Sequence, residues 1–193
     1  MKKTILVSLL TLLLSTNLAA EPEDWYFNAS IGVADKQNPD SVEQAIVAEE
    51  DYYGVSRVTV AIDVGFYWPV FNTSMLLGVV KNISSDSVRS VSGSGIISHT
   101  IDYNGLSAIY FFRETIGDGF FIRGDAGSAA AEYQFYEIFR VGDGSGSSRL
   151  IGVGYSKALY GNKTRLIFSL NSVRSVIEDR EFNTNQLMMG FMW

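Results

Sequence analysis

The chain has 193 residues, no cysteine, one histidine and a formal net charge of −6. Without cysteine there is no thiolate chemistry, no cysteine metal site and no disulfide staple. An acidic chain of this kind is also a poor partner for nucleic acid.

Residues 1 to 20, MKKTILVSLLTLLLSTNLAA, open with Lys2 and Lys3, continue as an apolar run from Ile5 to Leu14, and end on Ala19 and Ala20 before the acidic EPED. That three-part layout is a secretory signal peptide, expected to be cleaved near Ala20. Its apolar run is well short of the roughly 20 residues of a spanning helix. The mature domain is then 21–193, and losing Lys2 and Lys3 takes its charge to −8. An exported domain of one-domain size without disulfides must hold itself together by pairing and packing.

The first mature segment alternates: Trp25, Phe27, Ala29, Ile31 and Val33 on one face, Tyr26, Asn28, Ser30 and Gly32 on the other. This is the period of a strand with two chemically different faces. A long polar link at about 35–54 follows. It contains AEEDYY, with Glu49, Glu50 and Asp51, where contiguous carboxylates without glycine-spaced ligands read as solvated loop charge rather than a metal site. The clearest strand comes next. In VTVAIDVGFYW, Val58, Val60, Ile62, Val64, Phe66 and Trp68 share one face, and Thr59, Ala61, Asp63, Gly65 and Tyr67 the other.

Five weaker strands are expected at about 73–83, 96–112, 119–131, 149–159 and 163–174, the first of them apolar on both faces in SMLLGVVKNI. Short turns PVFN, RETIGDG and YGNK alternate with long links at about 35–54, 84–95, 132–148 and 175–182. The glycine-rich Gly142 to Ser148 in the third long link lacks the Lys-Ser/Thr ending of a phosphate loop and is expected to be a loop tip. The last strand places Leu187, Met189, Phe191 and Trp193 on one face and Thr184, Gln186, Met188 and Gly190 on the other. Eight strands with alternating short and long connections describe an up-and-down antiparallel meander, and closing it removes both exposed edges.

Alternation leaves open which face points inward. A soluble lipocalin-type barrel encloses its apolar face, whereas a membrane barrel turns it to lipid. The mature chain has only four lysines, and its mid-strand polar positions are mostly Gly, Ser, Thr, Asn and Ala with isolated charges. That composition suits a narrow interior rather than a water-bathed surface. The expected fold is therefore all-β, an eight-stranded antiparallel up-and-down transmembrane β-barrel. Asp63, Asp102, Arg123, Asp125 and Arg165 are expected to form an interior charge network, because buried charges are tolerable only when paired. Its role would be to hold a narrow barrel together, with a conductance gate as the alternative. Trp25, Phe66, Trp68, Phe120, Phe191 and Trp193, near strand ends on the apolar side, fit a membrane girdle.

The ending LMMGFMW, apolar at alternate positions with a terminal aromatic, resembles the carboxyl-terminal signal of Gram-negative outer-membrane proteins. Leu187, Met189, Phe191 and Trp193 occupy its positions, with Trp where Phe is more usual. Together with the leader and the length, the chain resembles small eight-stranded barrels of the OmpX, OmpW and OmpA membrane-domain type. The resemblance implies a Gram-negative outer-membrane location, outer-membrane lipid and lipopolysaccharide as neighbours, and the barrel-assembly machinery as a partner during insertion. From charge and motif pattern no nucleic-acid partner, cofactor or metal is expected, and the resemblance names no surface ligand.

Function must come from sites, since this fold hosts many. His99 in IISHTID invites comparison with outer-membrane lipid A deacylases, which the chain resembles in size. Their pattern needs a serine two residues after the histidine, where Ile101 stands, and both residues are expected on the outer face of the fourth strand. The favoured function is non-enzymatic: a structural, surface-display or recognition protein with a narrow, polar, plugged lumen. The alternatives are small-molecule passage or lipid A modification, and a soluble periplasmic lipocalin-like binder.

Overall fold

In the computed structural model, which describes residues 25–40, 43–44, 47, 57–70, 74–89, 96–113, 116–135, 139–159 and 164–193, eight strands close into one barrel. They are β1 (Tyr26–Gln37), β2 (Val58–Val70), β3 (Met75–Arg89), β4 (Ile96–Phe111), β5 (Gly119–Phe135), β6 (Phe139–Ala158), β7 (Arg165–Ile177) and β8 (Arg180–Met192). Every neighbouring pair is antiparallel, including β1 with β8. The lower end of the barrel carries Trp193 and the β2–β3, β4–β5 and β6–β7 turns; the upper end carries the other connections.

The barrel is taller than the alternating apolar signal. Residues 144–148, expected within a loop tip, are instead part of β6: all five pair with β5, and Gly146, Ser147 and Ser148 pair with β7 as well, for example Ser148 with Gly127 and with Ser175. The expected long link at 175–182 is instead a tight turn. Ile177 pairs with Arg180, and Glu178 and Asp179 sit between them at φ of 48° and 62°. Two consecutive left-handed residues give a turn whose twist matches the flanking strands, at a cost normally avoided by using Asn and Gly.

Residues lying side by side form rows that climb around the wall. From Val33 the row runs through Leu187, Leu170, Val153, Ile122, Tyr110 and Met75, and it reaches β2 at Val70, although Val33 itself pairs with Val60. The row misses its own start because tilted strands must be staggered to close a barrel.

One face of each strand lies outside. Ile31, Val33, Ile62, Val79, Leu106, Ile151, Val153, Leu170, Leu187 and Met189 are all exposed, while Asn28, Asp63, Asn82, Arg123, Asp125 and Gln186 are buried in the interior. The outward face turns polar above this zone, at Asp35, Asn185, Ser172, Arg149, Asn104 and Lys81.

The interior is filled. In the lower half Tyr26, Tyr67, Leu76, Ile109, Phe111, Phe121, Ile167 and Met192 belong to one apolar cluster. Higher up, Val80, Ile101, Tyr103, Ala129, Ala131, Ile177 and Phe182 form another. The glycines make room for these rings. A Cβ on Gly65 or Gly78 would strike Tyr67, one on Gly105 would strike Tyr103, and one on Gly154 would strike Phe121. Large side chains thus reach across the axis over small ones, and the lining of the lumen is only partly polar.

Candidate functional site in the barrel interior

Between the two apolar clusters lies an ionic centre built from five strands. Arg123 on β5 donates from Nη1 to Asp63 Oδ2 at 2.7 Å and from Nη2 to Asp63 Oδ1 at 2.9 Å. The same guanidinium reaches Asp125, from Nε at 3.0 Å and from Nη2 to Oδ2 at 2.7 Å. Asp63 also accepts from Asn28 Nδ2 at 3.0 Å and Asn82 Nδ2 at 3.3 Å. Gln186 on β8 and Asn82 on β3 exchange hydrogen bonds across the lumen at 2.9 and 3.1 Å. The planar fork of arginine is suited to gripping two carboxylates at once, and the amides satisfy much of the remaining acceptor capacity. Chemically this is a cross-brace tying β1, β2, β3, β5 and β8 together.

Three of the five residues expected in this network, Asp63, Arg123 and Asp125, meet there. Arg165 faces inward too, but at the lower mouth, its guanidinium carbon 5.3 Å from the centre of the Tyr26 ring. Asp102 does not face the lumen. It projects outward and pairs with Lys81 at 2.6 Å, with Asn104 Nδ2 donating to it at 3.2 Å. The reason is the parity of β4, in which His99, Ile101, Tyr103 and Ile109 point inward and Asp102, Asn104 and Leu106 outward. A one-residue slip exchanges all of these, so the misplacement of Asp102 and that of His99 and Ile101 are a single correction.

His99 is thereby part of a second polar group, at the upper end of the lumen. Its Nδ1 lies 3.8 Å from Asp86, its ring centroid is 5.4 Å from that of Phe182, and its carbonyl accepts from Lys36 Nζ at 3.0 Å. Asp86 is the hub, 3.4 Å from Lys36 Nζ and accepting from Thr59 Oγ1 at 2.7 Å. Asn38 extends the group to the β1–β2 connection by donating to Asp86 and to Glu43, and Glu43 pairs with Arg57 at 2.9 Å. The hydrogen bond from Arg57 holds the Glu43 carboxyl below its ordinary range. This group escaped the sequence reading, although its signal was present. Lys36 continues the inward face of Asn28 and Ser30, and Asp86 that of Asn82 and Ser84. His99, Asp86 and Lys36 are buried together, and the Asp86 carboxylate is engaged by Lys36, Thr59 and Asn38, an arrangement that suits a structural brace.

At the lower end, Trp25, Phe66, Trp68, Phe120, Phe191 and Trp193 all lie on the outward face, where Trp25 stacks on Phe66 at 4.9 Å and Phe66 meets Trp68 edge-on at 4.8 Å. Leu187, Met189 and Phe191 are exposed along β8. Trp193 and Phe27 exchange two backbone hydrogen bonds of 2.9 Å, so the chain terminus is pinned to β1. The acidic AEEDYY segment lies outside the described residues. Among the described residues no group of three or more potential ligands is placed to hold a metal ion.

No protein-family model and no curated protein matches the chain. Solved structures do. The attachment invasion locus protein Ail of Yersinia pestis matches with a TM-score of 0.50 at 12% identity, over 88% of this chain and 99% of that one. Its fold is that of a small outer-membrane barrel. Ail in complex with the heparin analogue sucrose octasulfate gives the same TM-score at 13% identity and the same coverage. The N-terminal β-barrel domain of Pseudomonas aeruginosa OprF matches at 0.44 and 17% identity, over 89% of this chain and 98% of that one.

Proposed function

We propose that the chain is an outer-membrane barrel that serves as a rigid, sealed mount for its upper connections, a non-enzymatic protein of surface display or recognition. The observation that carries this reading is the lumen itself. The Arg123 cross-brace lies between two apolar clusters, and Tyr67, Tyr103, Phe111 and Met192 are among the fully buried side chains. Such filling supports a structural wall over small-molecule passage. Outside, hydrocarbon would cover the exposed apolar zone. The lower aromatics would form a girdle at the periplasmic boundary, where indole and phenyl rings are favoured. In this reading residues 1–20 are removed on export, lipopolysaccharide surrounds the upper border, and the barrel-assembly machinery reads Leu187, Met189, Phe191 and Trp193.

Two measurements test it. The folded chain in detergent should migrate differently on unboiled and boiled gels, and in planar bilayers it should give no stable conductance. Steady channels of uniform size would overturn the sealed mount, and a chain that stays soluble without detergent would overturn the membrane assignment.

A further inference from the structure

On the wall formed by β6, β7, β8 and β1, three successive outward rows, each two residues above the last along the strands, change character. The lowest is apolar: Val33, Leu187, Leu170, Val153. Next comes Asp35, Asn185, Ser172, Ile151. Above that lies Gln37, Asn183, Arg174, Arg149. Between the first two rows runs a groove of about 590 Å³ floored by Ala34, Gln186, Asn171 and Gly152. Ile151, at the groove and next outward on β6 below Arg149, is 73% exposed, more than any other large apolar side chain described.

Arg149 and Arg174 are direct cross-strand neighbours, an arrangement that repels. Glu181 sits 2.6 Å from Arg174 and offsets one of the two charges. Arg149 makes no ion pair among the described residues. The opposite wall handles its cation differently, since Lys81 is neutralised within the chain by Asp102 at 2.6 Å. On this wall, then, Arg149 adds positive charge without an ion pair among the described residues, and it stands above a mainly apolar groove that also has Asp35 in its lining.

We propose that Arg149 and Arg174 form a subsite for the phosphate of an acyl lipid in the surrounding leaflet, with the acyl chain lying in the groove below. Guanidinium groups grip phosphate oxygens in paired hydrogen bonds, and a phosphate between the two arginines converts their repulsion into a bridge. The groove selects a lipid rather than free phosphate, because its lower wall is hydrocarbon. The inference rests on the membrane reading above.

The test uses the full mature chain folded in a neutral detergent, with native mass spectrometry measuring retention of bisphosphorylated lipid A. Folding of every variant is checked by its gel shift. The double variant R149Q/R174Q should retain the lipid about tenfold more weakly, whereas K81Q should match the parent. Dephosphorylated lipid A should bind the parent as weakly as the intact lipid binds the double variant, and millimolar inorganic phosphate should not displace the intact lipid. Equal retention by parent and double variant, both folded, would overturn the subsite. Displacement by inorganic phosphate would overturn the lipid as its source. A chain that needs no detergent would fail the membrane reading instead, a result separable from either.

Discussion

Two acid–base groups of the same chain sit a few residues apart in different surroundings. Inside, Arg123 is shared by Asp63 and Asp125, all three buried. Outside, Lys81 and Asp102 pair at 2.6 Å with side chains 42% and 38% exposed. The shorter contact belongs to the exposed pair, yet distance does not rank their importance. An exposed pair can exchange its partner for water or a headgroup at little cost. A buried guanidinium or carboxylate that loses its partner has nowhere to turn, so the inner group is costly to break even where it is modest in net stabilisation.

The largest effect should therefore follow from Arg123→Ala. It leaves Asp63 and Asp125 facing each other in the lumen, and the loss of stability should be about 3 to 5 kcal/mol. The measurement is urea unfolding of the detergent-folded barrel, read by its gel shift. Replacing the whole centre with uncharged residues of similar size, D63N/R123M/D125N, should recover more than half of that loss. Such recovery would show that the charges specify geometry rather than supply net energy, and a triple variant as unstable as Arg123→Ala would refute this.

Next in size is Asp86→Ala at the upper end. Asp86 is the common partner of Lys36, Thr59, Asn38 and His99, so its removal strands several donors at once. The site is closer to bulk water than the central one, and Lys36 keeps its bond to the His99 carbonyl. The expected loss is smaller, about 2 to 3 kcal/mol in the same unfolding measurement. Hydrogen exchange should also rise in residues 36–43 while staying unchanged in β5 and β6. A uniform rise around the barrel would show that Asp86 braces the whole wall rather than its upper corner.

The same contrast between inside and outside explains what could be read from the sequence. In β1, β2 and β8, apolar side chains alternate cleanly with small or polar ones, and both the strands and their orientation were legible. In β4 the pattern fails because the interior is not uniformly polar. Ile101 and Ile109 point inward among rings, and Asp102 and Asn104 point outward above Leu106. The upper half of β6 was invisible as a strand for a different reason. Above the apolar zone neither face needs hydrocarbon, so Gly144 to Ser148 pair as a ladder with no hydropathy signal at all. The Arg123 centre could be anticipated because Arg and Asp at alternate positions of one strand share a face. The Asp86 group was harder to assemble: Lys36 and Asp86 continue the inward faces of their strands, but its members come from four strands whose mutual register only closure of the barrel fixes.

The smallest effect should come from Lys81→Gln. It removes the outer ion pair but leaves Asp102 with its hydrogen bond from Asn104 and with access to solvent. The expected cost is about 0 to 1 kcal/mol, within the usual range for exposed pairs and several-fold below that of Arg123→Ala. If the lumen is sealed as proposed, raising the salt concentration should shrink it further while leaving the Arg123→Ala deficit nearly unchanged, because mobile ions then screen only the outer wall. If the two deficits fall in parallel with salt, water and ions reach the Arg123 centre, and the plug between the apolar clusters is not tight.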